Sequence, residues 1–252
     1  QATAKASARV TPEDVLIDSS ELVFAGSRLQ ALGTVARQPD RASRVNFTGR
    51  VQVEELSHLP YLTVPHIDQW KLSGTMDVEG QFQGRWTDWK NAAFRARAAS
   101  QRLVVFDLPV EQVSLALEQR DKVLRASVPA ALFAGGRTVG DLVIEYMPTH
   151  HRYLAQTEVT GLDLQQLAAV VPAWRQKTMK GQASGRLLLS GAWEERASWR
   201  GEGWLNASGD HLGDVPLLDK LFQRAVLGNL ADFMGLEPLR RAKITKGSLT
   251  WK

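Results

Sequence analysis

Apolar and polar side chains alternate with a period of two along much of the chain, in runs separated by glycine, proline and aspartate. The clearest run is 72–83, where Leu72, Met76, Val78 and Phe82 share one face and Thr75, Asp77, Glu79, Gln81 and Gln83 the other. Val113, Leu115 and Leu117 alternate in the same way with Gln112, Ser114 and Glu118, and Tyr153, Ala155, Thr157 and Val159 with Gln156, Glu158 and Thr160. Each run predicts a strand with one greasy and one wet face. Antiparallel sheets accept that arrangement, and parallel sheets covered on both faces do not.

Helical spacing is scarce. Residues 163–171 predict a short helix, with Asp163 as cap and Leu164, Leu167, Ala168 and Val171 on one side. A second helix is predicted from about Pro216 to Met234. Asp214 and Pro216 suit its entry, Gly235 its exit, and Leu217, Leu218, Leu221, Phe222, Val226, Leu230 and Phe233 form an apolar stripe. Alternation returns over 242–251. The fold class expected is mainly β with an α+β character: a curved, mostly antiparallel sheet, short helices and a C-terminal amphipathic helix.

Self-similarity divides the chain further. Glu55-Leu56-Ser57-His58-Leu59 resembles Asp163-Leu164-Gln165-Gln166-Leu167. The glycine pair Gly74 and Gly80 returns as Gly185 and Gly191, 111 residues on, each copy preceded by a lysine, Lys71 and Lys180. Pro109 returns as Pro216. The pattern predicts one elongated β-rich domain over 1–252, with repeat units at about 43–150 and 151–252 and an N-terminal strand segment over 1–42. Stacking of such units extends one continuous sheet.

Composition narrows the function. With 44% hydrophobic and 23% charged residues, the chain is expected to fold, and its net charge of +4 is a mild excess that suits anionic surfaces. Its bases alternate with acids and amides instead of forming a stripe, which argues against nucleic acid as a partner. There is no cysteine, so disulfides and thiolate metal sites are excluded. The longest apolar runs fall well short of the roughly 18 residues of a membrane span. The chain opens at Gln1 without a basic, apolar leader, and is read as a segment of a longer protein.

Several stretches carry a resemblance. They are 184–191 (SGRLLLSG), followed by Trp199-Arg200-Gly201-Glu202-Gly203; 213–218 (GDVPLL), leading into the apolar stripe; the closing run 244–249; and 131–136 (ALFAGG), before the strand-like Val139 to Tyr146. From about Ser20 onward the chain resembles the AsmA-like superfamily of Gram-negative envelope proteins, which includes TamB and related bridge-like lipid carriers. The resemblance implies a long, taco-like β-sheet with an apolar inner groove. It also implies a periplasmic location, anchorage to the inner membrane through a segment outside this chain, and a part in phospholipid transport or outer-membrane assembly.

In such a groove acyl chains lie against the apolar face and headgroups stay in water, with no constellation of polar residues required. The expected lining is Leu72, Met76, Val78, Phe82, Val113, Leu115, Leu187 and Leu189; the same residues would also suit the core of a closed sandwich. Leu217, Leu221, Phe222 and Phe233, with Arg240 and Arg241, are expected to contact a membrane or partner. Phospholipid or another envelope lipid is the expected partner, with the membrane surface or the outer-membrane protein machinery beside it. Strand addition at a sheet edge and glycan stacking on the eight tryptophans are the alternatives. No HExxH, GxSxG, Walker loop or dinucleotide fingerprint occurs. His150 and His151 are sequence neighbours that point apart on a strand. The chain is therefore expected not to be an enzyme and to need no cofactor or metal.

Overall fold

The structure is a computed structural model that describes residues 2–24, 26–58, 71–105, 108–148, 150–170, 180–192, 195–211 and 248–251. Its strands are β1 (Ala2–Val10), β2 (Asp14–Phe24), β3 (Ser27–Ala36), β4 (Ser43–Gln52), β5 (Ser73–Gly84) and β6 (Ala93–Val105). They continue as β7 (Leu108–Arg120), β8 (Val123–Phe133), β9 (Gly136–Tyr146), β10 (His151–Asp163), β11 (Lys180–Ala192), β12 (Glu195–His211) and β13 (Ser248–Trp251). Each pairs antiparallel with its sequence neighbours, so spatial order equals chain order and the sheet is open. The protein is mainly β, as the alternation predicts.

One helix, α1 (Leu164–Val170), and two 3₁₀ segments, Val53–His58 and Trp86–Asn91, complete the described elements. The α1 entry follows the predicted chemistry: the Asp163 carboxylate accepts from the backbone N–H groups of Gln165 at 2.8 Å and Gln166 at 3.1 Å. The helix predicted over 216–234 lies outside the described residues, and with it Leu217, Leu221, Phe222, Phe233, Arg240 and Arg241.

In an antiparallel meander, successive connections fall at alternate ends of the sheet. The three longest, between β4 and β5, β10 and β11, and β12 and β13, all fall at one end, called here the crossover end. Val53–His58 and α1 begin two of them, and they carry the two copies of the acidic-Leu motif read from the sequence. The glycine pairs 74/80 and 185/191 stand in β5 and β11, the strands that follow those connections. The opposite, hairpin end collects the β1–β2, β3–β4, β5–β6, β7–β8, β9–β10 and β11–β12 connections.

Small residues and irregularities let so wide a sheet bend. Pairing register shifts between β1 and β2, β2 and β3, β5 and β6, β7 and β8, β8 and β9, β10 and β11, and β11 and β12. Such bulges bend a strand and raise its twist. Gly33 lies opposite the β2 irregularity at φ +143°, a conformation open to glycine, and a Cβ there would run into the carbonyl oxygen of Arg44.

The polar face is laced by cross-strand ion pairs: Arg9–Asp18 at 2.9 Å, Arg50–Asp77 at 2.8 Å and Arg95–Glu118 at 2.9 Å. All are solvent-exposed, so each contributes little energy and mainly opposes register slippage. Arg9 and Arg50 hold the carboxyls of Asp18 and Asp77 below the usual carboxylate range, chiefly through direct hydrogen bonds.

Candidate functional site

Directly opposed residues in an antiparallel pair present their side chains on one face. Followed strand by strand, the register gives a row that crosses the sheet from β1 to β12 without interruption. It runs Ala6, Ser20, Ala31, Phe47, Gly80, Ala96 and on through Leu117, Ala126, Leu142, Ala155, Leu189 and Gly201. Ser20 is its one polar member, and its hydroxyl donates to the Ala31 carbonyl at 2.9 Å. At about 4.8 Å per strand the row is on the order of 50 Å long.

A second row lies beside it toward the hairpin end. It contains Ile17, Val45, Phe82, Phe94, Leu124, Ile144 and Tyr153, with Gln119 its polar member. Gln119 is buried, and its amide donates to the Trp89 carbonyl. One residue out of phase, the opposite face reads Lys5, Glu21, Gln30, Thr48, Glu79, Arg97, Ala116, Ser127, Asp141, Gln156, Leu188 and Glu202. The two faces therefore differ in kind across the whole sheet.

Several large apolar side chains also differ in shelter, although Leu22 of the apolar face is exposed near the β1 edge. Leu32 and Leu154, on the polar face, are 54% and 46% exposed. Leu115, Leu117, Leu142 and Leu187, on the apolar face, are half-buried. Short elements pack over the apolar face at both strand ends. At the crossover end Val53 sits against Met76 and Leu103 with Leu72, Val78, Ala98, Val113 and Leu115, while Leu164 and Ala168 of α1 cover Leu162, Ala183 and Phe133. At the hairpin end Trp86 stacks on Phe82, with ring centroids 4.2 Å apart and planes 12° apart. Two depressions, of about 530 and 990 Å³, follow the first row between β1 and β9.

All eight sequence-predicted lining residues are described. Met76, Val78 and Phe82 in β5, Val113 and Leu115 in β7, and Leu187 and Leu189 in β11 share the apolar face, and Leu72 packs into the same cluster as Met76. They are not one contiguous group, because β5 and β7 stand several strands from β11. Sequence reasoning passed over most of the residues that join them: Phe47, Ala96, Ala126 and Leu142. A signal was present in Phe94, Ala96 and Ala98 alternating with Arg95 and Arg97, but alanine and glycine are weak markers of an apolar stripe.

Glycine at the centre of the row has a specific use. Phe47 and Phe94 stand two strands apart, yet their rings stack with centroids at 5.9 Å. They meet across Gly80, where a Cβ would fall 2.6 Å from Phe47 Cζ and 2.9 Å from the Ala96 Cβ. At the crossover end, fully buried Ser27 donates to the Glu55 carboxylate at 2.7 Å and accepts from the Gln52 N–H at 2.9 Å, which ties the 3₁₀ segment to β3.

Among the described residues there is no group of three or more His, Asp or Glu side chains placed to hold a metal ion. Among them, too, no helix is long and apolar enough to cross a membrane. Together these features define a mainly-β protein with a wide open antiparallel sheet whose one face is predominantly apolar. Comparison with protein-family models, with curated proteins and with solved structures finds no match for this chain.

Proposed function

We propose that the apolar face is a groove for the acyl chains of lipid, and that the protein binds or transfers lipid in the bacterial envelope in support of outer-membrane biogenesis. The observation that carries this reading is the twelve-strand apolar row, which is far longer than one small-molecule site requires and continuous from strand to strand. Each methylene buried against such a floor contributes about 0.8 kcal/mol, with no need for directional partners. The walls at the two strand ends limit access of water from the sides, while the open sheet leaves the groove axis free. In this reading the two acidic-Leu segments, which begin crossovers six strands apart, each start a wall of the groove. The resemblance to the AsmA-like superfamily supports the same function and a periplasmic site of action.

Strand addition at a sheet edge is the second reading, favoured by β1, which pairs on one side only among the described residues. Lys5 and Arg9 project from that strand, and charges of this kind discourage pairing with another chain. The lipid reading is therefore preferred.

Site-specific photocrosslinking distinguishes the faces. A photoreactive phenylalanine analogue at Leu117 or Leu142 is expected to give adducts of lipid mass in cells, and the same group at Glu79 or Arg97 none. Equal labelling from both faces, or adducts of protein mass alone, would sink the groove reading.

A further inference from the structure

The hairpin end of the sheet has a character of its own. Neighbouring tips are joined laterally by hydrogen bonds: Arg37 to the Thr11 carbonyl at 3.0 Å, Thr87 to the Pro39 carbonyl at 3.1 Å, Lys122 N–H to the Lys90 carbonyl at 3.1 Å and Tyr146 N–H to the Lys122 carbonyl at 2.8 Å. Five successive connections, from β1–β2 to β9–β10, thus form one stitched rim. Hairpin tips with no such links move independently; these are held as a surface.

Large apolar side chains are exposed on that surface. Trp86 and Trp89 are 51% and 42% exposed on the same 3₁₀ segment, and Met147 is exposed on the β9–β10 tip. The tips are in contact, since the Trp89 ring meets the Tyr146 ring edge-on at 5.4 Å. Lysine stands among the rings: the Lys90 ammonium lies 5.9 Å from the Trp89 centroid and 5.5 Å from that of Tyr146. The charge balance of the β5–β6 and β7–β8 tips is positive. Four bases, Arg85, Lys90, Arg120 and Lys122, face two acids, Asp88 and Asp121, and both acids are engaged by arginine, in Arg85–Asp88 and Arg120–Asp121.

Exposed indole rings with lysines beside them, on a rigid rim, match the chemistry of the bilayer interface. There tryptophan buries its apolar body while its N–H stays wet, and lysine extends its ammonium to the phosphate level. We infer that the hairpin end, through Trp86, Trp89, Met147, Lys90 and Lys122, docks on the surface of an anionic lipid bilayer. A protein partner would present acids and an apolar pocket to the same residues; the positive balance of the β5–β6 and β7–β8 tips and the extended, stitched row of tips fit a flat anionic surface better. The inference is independent of what the groove carries.

The test is flotation of the full chain with vesicles of phosphatidylethanolamine and phosphatidylglycerol, compared with phosphatidylcholine alone. The chain is expected to float with the anionic vesicles and to release them at high salt. Its tryptophan emission is expected to be quenched by shallow bilayer-bound spin labels. Each basic residue at an anionic surface is worth about a fivefold change in partitioning, so Lys90→Gln with Lys122→Gln is expected to weaken it about 25-fold. These lysines bind the neighbouring tips through backbone groups, and an unchanged far-UV circular dichroism spectrum verifies the variant's fold. Met147→Asp is expected to reduce quenching as well. Leu117→Asp, on the groove floor, is expected to float like wild type, so a failed groove reading leaves this test intact. Absence of flotation, or flotation unaltered in the lysine double variant, would overturn the inference.

Discussion

The sharpest stability prediction concerns Gly80→Ala. In most strands this change is favourable by about 0.5–1 kcal/mol, because alanine loses less backbone entropy on folding. Here the added methyl would lie 2.5 Å from the Arg95 carbonyl oxygen and 2.6 Å from Phe47 Cζ, both inside contact distance. The ring can swing, but the carbonyl belongs to the β5–β6 ladder and moves only with the strand. Overpacking of this kind costs about 1–3 kcal/mol. After the entropy gain is set against it, a net loss of roughly 1–2 kcal/mol is expected. Urea unfolding followed by circular dichroism measures it, at constant m-value. Phe47→Leu should restore part of the loss, since it frees the ring side and leaves the carbonyl clash; a double-mutant cycle should then show coupling of at least about 0.5 kcal/mol. A Gly80→Ala protein as stable as wild type would refute the close approach of Phe47 and Phe94 over β5.

Three further outcomes follow from the same geometry. Ser27→Ala should cost about 1.5–3 kcal/mol in urea unfolding, because it leaves the Glu55 carboxylate and the Gln52 N–H without their buried partner; a loss below about 0.5 kcal/mol would remove the tie between β3 and the 3₁₀ segment. Burial pushes the Tyr153 hydroxyl up to about 12, so it should ionise late in an ultraviolet titration. The folded chain holds this proton where the unfolded chain, near pH 10, has released it. The associated stability is therefore present below about pH 10 and lost between there and about pH 12, and Tyr153→Phe should flatten that decline. Asp77 carries the opposite sign: its depressed carboxyl favours the fold above the ordinary carboxylate range and loses that effect as pH falls through the folded value. Asp77→Asn should therefore show a weaker acid dependence of the unfolding midpoint than wild type.

Much of the sheet was legible in the sequence because its faces differ so consistently. The runs at 112–118 and 153–160 fall within β7 and β10, the run at 72–83 does so in β5 from Ser73 onward, and the expected side-chain parity holds in the paired residues of each. Asp163 begins a helix because a carboxylate placed before Leu164 satisfies free N–H groups, a local effect that the residue type announces. What was not legible is spatial. The row from Ala6 to Gly201 exists only once register is known, and a one-residue slip at any strand would break it. Bulges set that register, and their positions have no clear mark in the chain. The rim was hidden for a related reason: Trp86, Lys122 and Met147 lie on different tips, and only the lateral hydrogen bonds bring their segments together. Trp86 and Trp89 were visible as neighbours in the chain, yet their meeting with the β7–β8 and β9–β10 tips was not.

The central claim is that the apolar row holds acyl chains, and native mass spectrometry of the purified full chain tests it most directly, with organic extraction identifying what is released. The account predicts co-purifying lipid in defined stoichiometry, lost when Leu117→Asp places a charge at the middle of the row in a variant with unchanged circular dichroism. A wild-type chain that is folded and free of lipid, or a Leu117→Asp chain that retains its lipid, would contradict it.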